Sequence, residues 1–331
     1  MRAGTITRRN ILCVLGGASL AGIWPRAWAA SVAGPTLINM GYQTNLVGLV
    51  GMVAEAEKLY EKVGANVRVH RFNSGQAVRD AMIAKSIDIG AVGSTPFIIG
   101  VAKGELLGIG VVAYTGRMCM VVARKDSGIR SVAELKGKRV ASQLGSQTDH
   151  AFQNKIAPKF GLKKGDYTVA NIKFENHVAA MSAGSVDAFA GVDPFTAIAE
   201  DEGLGVVLVD YSPFDLLPSI LAVNRRVLEQ RHDAVIAFLK GWLAGVKIIQ
   251  AEPQRATAIA LKIYKDQGYN VSEAVIRKAV ERADVTPSFV PEMKAYLTEQ
   301  SQILLQQGQI KAMPDWDQAL VREPLQTAMR G

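Results

Sequence analysis

From Thr36 onward, short runs of β-branched and aromatic residues alternate with longer stretches whose apolar residues recur at helical spacing. Residues 37–42 read as a strand. Residues 46–63 carry apolar positions at helical spacing, with Lys58 and Lys62 near the end and Gly64 just past it, where a helix stops. Residues 66–72 alternate with period two, which predicts a strand with one wetter face. Ser74 opens a helix through 84, and 87–92 is the next strand. Thr95-Pro96 starts another helix, with proline in the first turn where its missing N–H costs nothing. Residues 107–114 form a fourth strand.

The pattern then restarts. Residues 118–124 are a strand, Ser131-Val132-Ala133-Glu134 fits a capping box before a short helix, and 139–142 is a strand. Residues 146–160 are helical until Gly161. Strands follow at 172–174, 188–192, 206–209 and 220–223, and beyond about Arg225 the chain is helical: 232–250, 253–264, 272–283 and 291–307. This strand–helix order predicts an α/β fold with two mostly parallel sheets flanked by helices. No flexible linker separates the halves, so the chain crosses between lobes on extended segments near 115–118 and 217–220. Residues 30–116 and 221–331 are expected to form lobe 1, and 117–220 lobe 2.

The N-terminus changes the picture. Thr7-Arg8-Arg9-Asn10 precedes an apolar run, 11–23, too short for a membrane span, and Ala27-Trp28-Ala29 supplies a small-x-small cleavage pattern. Residues 1–29 therefore read as an export signal of twin-arginine type, placing the mature protein in the periplasm. Removing them takes away four arginines and no acid, so the formal net charge falls from +8 to +4. The remaining excess is scattered, without basic runs or aromatic-basic interleaving, so the charge gives no support to a nucleic-acid partner and none is expected. Cys119 is then the sole cysteine, excluding an internal disulfide and multi-cysteine metal sites. The four histidines are scattered, and no cofactor or metal is called for.

Ligands of open parallel sheets sit beyond the carboxyl ends of the strands. Here those ends carry small, hydroxyl and amide residues: Tyr42, Gln43 and Thr44; Ser94 and Thr95; Tyr114, Thr115 and Arg117; Ser146, Gln147 and Thr148; and Asp193. Several open a helix, whose unpaired N–H groups hold an anion without a lysine. Each hydroxyl taken singly also fits a plain helix cap. Tyr42, Tyr114 and Phe214 are candidate apolar walls. Arg117 offers a bidentate cation or a surface charge beside the crossing, and Asp193 an amino-group acceptor or a cap. Cys119, in an apolar strand, reads as an inert buried thiol.

Ser74-Gly75-Gln76 through Asp80-Ala81, Ile87-Asp88-Ile89-Gly90, Gly93-Ser94-Thr95-Pro96, the stretch 131–140 with Gly145-Ser146 after it, and Gly184-Ser185-Val186-Asp187-Ala188-Phe189-Ala190 before Asp193-Pro194-Phe195 come in one order. Together, over residues 36–229, they resemble the nitrate/sulfonate/taurine-type substrate-binding proteins of ABC importers. Val192 departs from the aromatic residue often found before that aspartate. The resemblance implies a two-lobed type II periplasmic binding fold with a ligand cleft between the lobes. It also implies a small-molecule ligand, an organic anion or zwitterion, contacted by Gln43, Thr44, Ser94, Thr95, Ser146 to Thr148 and Asp193. An ABC permease in the inner membrane is the implied partner, and the receptor is expected to be a monomer. The alternatives on this fold are an enzyme, desulfinase-like or pyrimidine-synthase-like, and a ligand sensor for a membrane receptor.

Overall fold

A computed structural model describes residues 36–330; the export segment read at residues 1–29 lies outside the described residues. Ten strands are found there: β1 (Ile38–Gln43), β2 (Val67–Phe72), β3 (Ile89–Gly93), β4 (Leu106–Tyr114), β5 (Cys119–Arg124), β6 (Arg139–Ser142), β7 (Thr168–Asn171), β8 (Ala188–Val192), β9 (Gly205–Asp210) and β10 (Pro218–Asn224). They form two five-stranded sheets, β2-β1-β3-β10-β4 and β7-β6-β8-β5-β9. In each sheet the fourth strand runs against both its neighbours while the first three strands are parallel.

Chain direction explains that mixture. The chain leaves the first sheet at the carboxyl end of β4 and enters the second directly as β5. It returns after β9 as β10. Strands whose carboxyl ends face the crevice run toward it, and a strand that enters from the crevice must run away from it. Each sheet therefore receives one antiparallel strand, inserted next to its innermost parallel strand.

Burial follows position in the sheet. β3, β8 and β10 are buried throughout, as their apolar runs require, whereas edge strand β2 exposes Arg68 and Arg71. β4 also lies at an edge yet is wholly buried. Its free backbone is taken by the C-terminal segment, with Val111 N donating to Pro287 O at 2.8 Å, Tyr114 N to Asp284 O at 2.8 Å and Val321 N to Gly108 O at 2.8 Å. Covering an edge this way removes a template for unwanted pairing.

Three elements differ from the sequence pattern. The helix expected over 46–63 begins as a short 3-10 turn and is broken at Lys58, whose φ is 52°. The break turns Tyr60 onto Phe238 of the long helix His232–Ala251, ring centroids 5.2 Å apart, beside Gly241, where any Cβ would meet Tyr60 at 2.7 Å. The strand expected at 172–174 lies instead at Thr168–Asn171, because Phe174 leaves the sheet to pack on His177 at 5.5 Å. Ser131 caps only a 3-10 turn, and the Glu134 carboxylate accepts from Arg130 N at 2.8 Å rather than from the capping residue.

The two crossings are bonded to each other. Thr115 N and Oγ1 both donate to Leu217 O, at 3.0 and 2.8 Å, and Tyr211 N donates to Gly116 O at 3.1 Å. A Cβ on Gly116 would stand 2.9 Å from Ser212 Cα and 3.0 Å from Asp215 O, both backbone atoms. Gly116→Ala should therefore destabilise the protein by about 1–3 kcal/mol. Urea unfolding checks this, and an unchanged midpoint would mean that the crossings are not closely packed.

Candidate ligand-binding crevice

The carboxyl ends of both sheets meet at one buried amide. β3 runs straight into the helix Ser94–Ala102, leaving the Ser94 N–H at a helix start. On the other side, β6 leads through Gly145 (φ 77°) to Ser146, whose Oγ accepts from Asp149 N at 3.1 Å and so starts the helix from Gln147. A Cβ on Gly145 would meet Gln76 Nε2 at 2.2 Å, so glycine permits a close approach between the two sides.

Gln147 spans the gap. Its Oε1 accepts from Ser94 N at 2.8 Å and Ser94 Oγ at 3.3 Å, and its Nε2 donates to Thr115 Oγ1 at 2.9 Å and Ser219 Oγ at 3.1 Å. All these groups are buried. Ser94 Oγ also lies 3.3 Å from Tyr296 Oη, which ties the helix Met293–Gln306 to the junction.

Space remains around this junction. A cavity of about 20 Å³ is lined by Gln43, Asn45, Gly75, Ser146, Thr148 and Phe174 among others. Another, of about 70 Å³, lies among Thr44, Asn45, Asn73, Glu175, Phe195 and Tyr269. A larger cavity of about 680 Å³ starts from Thr95 and Gly145 and extends past Gln153, Asn154, Lys164 and Gln307.

The structure thus gathers Gln43, Ser94, Thr115, Ser146, Gln147 and Thr148 around one point, with Thr44 and Thr95 each lining an adjoining cavity. Others lie elsewhere. Tyr42 Oη donates to Glu55 at 2.7 Å and accepts from Arg71 Nε at 3.1 Å, while its ring lies under Gly48 and Gly51. Tyr114 Oη donates to Ser288 O at 2.9 Å and accepts from Val290 N at 3.1 Å. Arg117 is exposed on the turn Gly116–Met118, and Phe214 packs on Phe160 at 6.0 Å. Asn45, Gly75, Phe174 and Ser219 escaped the sequence reading. Asn45 carried a faint signal, a capping residue just after β1: its Oδ1 accepts from Val47 N at 3.1 Å.

Two of the buried carboxylates near the junction are each paired with a cation from a distant element, while a third, Asp149, accepts from Gly145 N at 3.1 Å and Gln153 Nε2 at 2.8 Å. Asp193 is fully buried; both its oxygens accept from Arg282 Nη1, at 3.3 and 3.2 Å, and one also accepts from Thr196 Oγ1 and Ala197 N. Burial raises its pKa while Arg282 opposes the rise. Asp215 accepts from Leu217 N at 2.8 Å and pairs with Lys155 Nζ at 3.4 Å. The donors that face the small cavities are therefore neutral hydroxyls, amides and helix-end N–H groups. Cys119 lies 3.4 Å from Thr148 Oγ1, and burial pushes its thiol up to about 12, which leaves no thiolate for nucleophilic chemistry near pH 7.

The profile of the NMT1-like family matches residues 33–263. A protein of Escherichia coli strain K12 named for binding aliphatic sulfonates is 31% identical over 237 residues, 70% of this chain and 72% of its own. The taurine-binding periplasmic protein of the same organism is 25% identical over 89% of each chain. The solved alkanesulfonate-binding protein SsuA of Xanthomonas axonopodis, bound to MOPS, superposes with a TM-score of 0.77 at 22% identity, covering 88% of this chain and 99% of that one. The desulfurization enzyme DSZB superposes with a TM-score of 0.67 at 16% identity, over 88% of this chain and 99% of its own.

Removing Arg282 would leave Asp193 buried without its cation. Arg282→Ala should cost about 3–5 kcal/mol of stability, and pairing it with Asp193→Asn should recover most of that loss. Denaturant unfolding of the single and double variants measures both. Equal losses in the two would show that the ion pair is not the reason.

Proposed function

The chain belongs to the NMT1-like family, and on that premise we propose that it is a periplasmic solute-binding protein of an ABC importer whose ligand is a small organic anion or zwitterion of the sulfonate, taurine or carboxylate kind. Its fold is the two-lobed one of the sulfonate-binding proteins. The observation that carries the proposal is the convergence of Gln43, Ser94, Ser146 and Thr148, from the strand ends of both sheets, on one buried point. A small oxyanion suits such a place. Helix-end N–H groups and hydroxyls stabilise its charge without a counter-cation, and burial strengthens each of those bonds.

In this reading residues 30–116 with the chain from Pro218 onward, rather than from 221, form one lobe, since β10 pairs in the first sheet. The segment between forms the other, and closure about the two crossings encloses the ligand. The closed monomer then docks on a permease in the inner membrane, after removal of residues 1–29 on export. The cycle requires no bond to be made or broken. The buried, protonated Cys119 thiol and the sulfonate- and taurine-binding relatives support a binding protein over an enzyme.

A thermal-shift screen of residues 30–331 against ethanesulfonate, taurine, nitrate, carboxylates and amino acids tests the proposal. A ligand at a hundred times its Kd adds about 2.7 kcal/mol of stability. One class should raise the Tm and be recovered unchanged, and Gln43→Ala should weaken its binding by about tenfold or more. Chemical conversion of the compound, or silence across all classes, would contradict the proposal.

A further inference from the structure

We infer that the Gln147 side chain is an internal ligand: it occupies the seat at the head of the helix Ser94–Ala102 and must leave before a solute can bind there. The inference rests on the proposed function, since it concerns how that same crevice is filled.

A primary carboxamide has two acceptor positions on oxygen and two N–H donors. Gln147 uses all four, with Ser94 N and Oγ on its oxygen and Thr115 and Ser219 on its nitrogen. The seat also has a fixed polarity. Thr115 spends its own hydroxyl hydrogen on Leu217 O at 2.8 Å, so toward Gln147 it can only accept. Gly93 leaves the space that the side chain fills, for a Cβ there would meet Gln147 Cδ and Oε1 at 2.9 Å. Gln147 comes from the second sheet's side, and all four of its partners belong to the first sheet, its helix or the crossing. One side chain therefore fastens the crevice shut from across it.

Volume makes the two occupants exclusive. With Gln147 in place the cavity that its side chain lines is about 20 Å³. That holds roughly one water, so a sulfonate or carboxylate enters this cavity only if the carboxamide moves. Binding is then an exchange, in which a solute oxygen replaces Gln147 Oε1 on the Ser94 N–H. The apparent affinity for every solute is lowered by the same factor, the fraction of molecules in which the seat is vacant.

The test uses Gln147→Ala, with Ser219→Ala as a milder variant that keeps the glutamine and removes one of its four partners. Small-angle scattering of the ligand-free proteins comes first, because it needs no solute. Wild type should be compact and Gln147→Ala expanded, with Ser219→Ala between them. Titration calorimetry then compares ethanesulfonate with taurine. Both should bind Gln147→Ala about tenfold or more tightly than wild type, as expected when several hydrogen bonds need not be broken, and by a common factor. A Gln147→Ala protein as compact as wild type without ligand overturns the inference. So does weaker binding, or gains that differ between the two solutes, because each marks an ordinary ligand contact. If neither solute binds either protein, the proposed ligand class fails, while the scattering comparison still decides whether Gln147 fastens the crevice.

Discussion

The whole architecture depends on two chain crossings that hold each other. Thr115 donates twice to Leu217 O, and Asp215 accepts from Leu217 N, so the outgoing and returning segments form one stitched unit. Leu217 is held there at φ 38°, a region that a leucine enters only when its surroundings demand it. From this unit follow the antiparallel β5 and β10, the inward-facing strand ends and the polar junction between them. A crossing built otherwise would not bring Ser94 and Gln147 within hydrogen-bond range.

The interior near the crevice is polar by design of partners rather than by exposure. Asp193 has Arg282, Asp215 has Lys155, and Ser94, Thr115, Ser219 and Gln147 satisfy one another. Asp193 and Asp215 take up Arg282 and Lys155, so neither of these cations faces the small cavities. An anion held there would be bound by dipoles, which suits a protein that must release its cargo as well as capture it.

Much of this was legible in the sequence, and the missing part has a common cause. The succession of strands and helices along the chain, the restart after residue 117 and the helix starts at Ser74, Thr95-Pro96 (one residue after the observed Ser94) and Ser146 depend on local periodicity and capping, which a sequence carries openly. What a side chain does at the end of its strand depends on distant partners. Tyr42 had the look of a crevice wall, yet Glu55 and Arg71 draw its hydroxyl away. The cation for Asp193 stands 89 residues downstream, and Gln147 finds Ser94 across 53 residues. The helix break at Lys58 answers to Gly241 and Phe238, which no local pattern around residue 58 reveals.

The central claim is that the solute lodges where the strand ends of the two sheets meet. Hydrogen exchange of residues 30–331, read by mass spectrometry with and without saturating ethanesulfonate, tests it most directly. The account predicts slowed exchange confined to peptides covering residues 43–48, 93–97, 145–149 and the crossings at 115–118 and 215–219. Protection centred instead on residues 153–167 and 307–309, around the larger cavity, would contradict it.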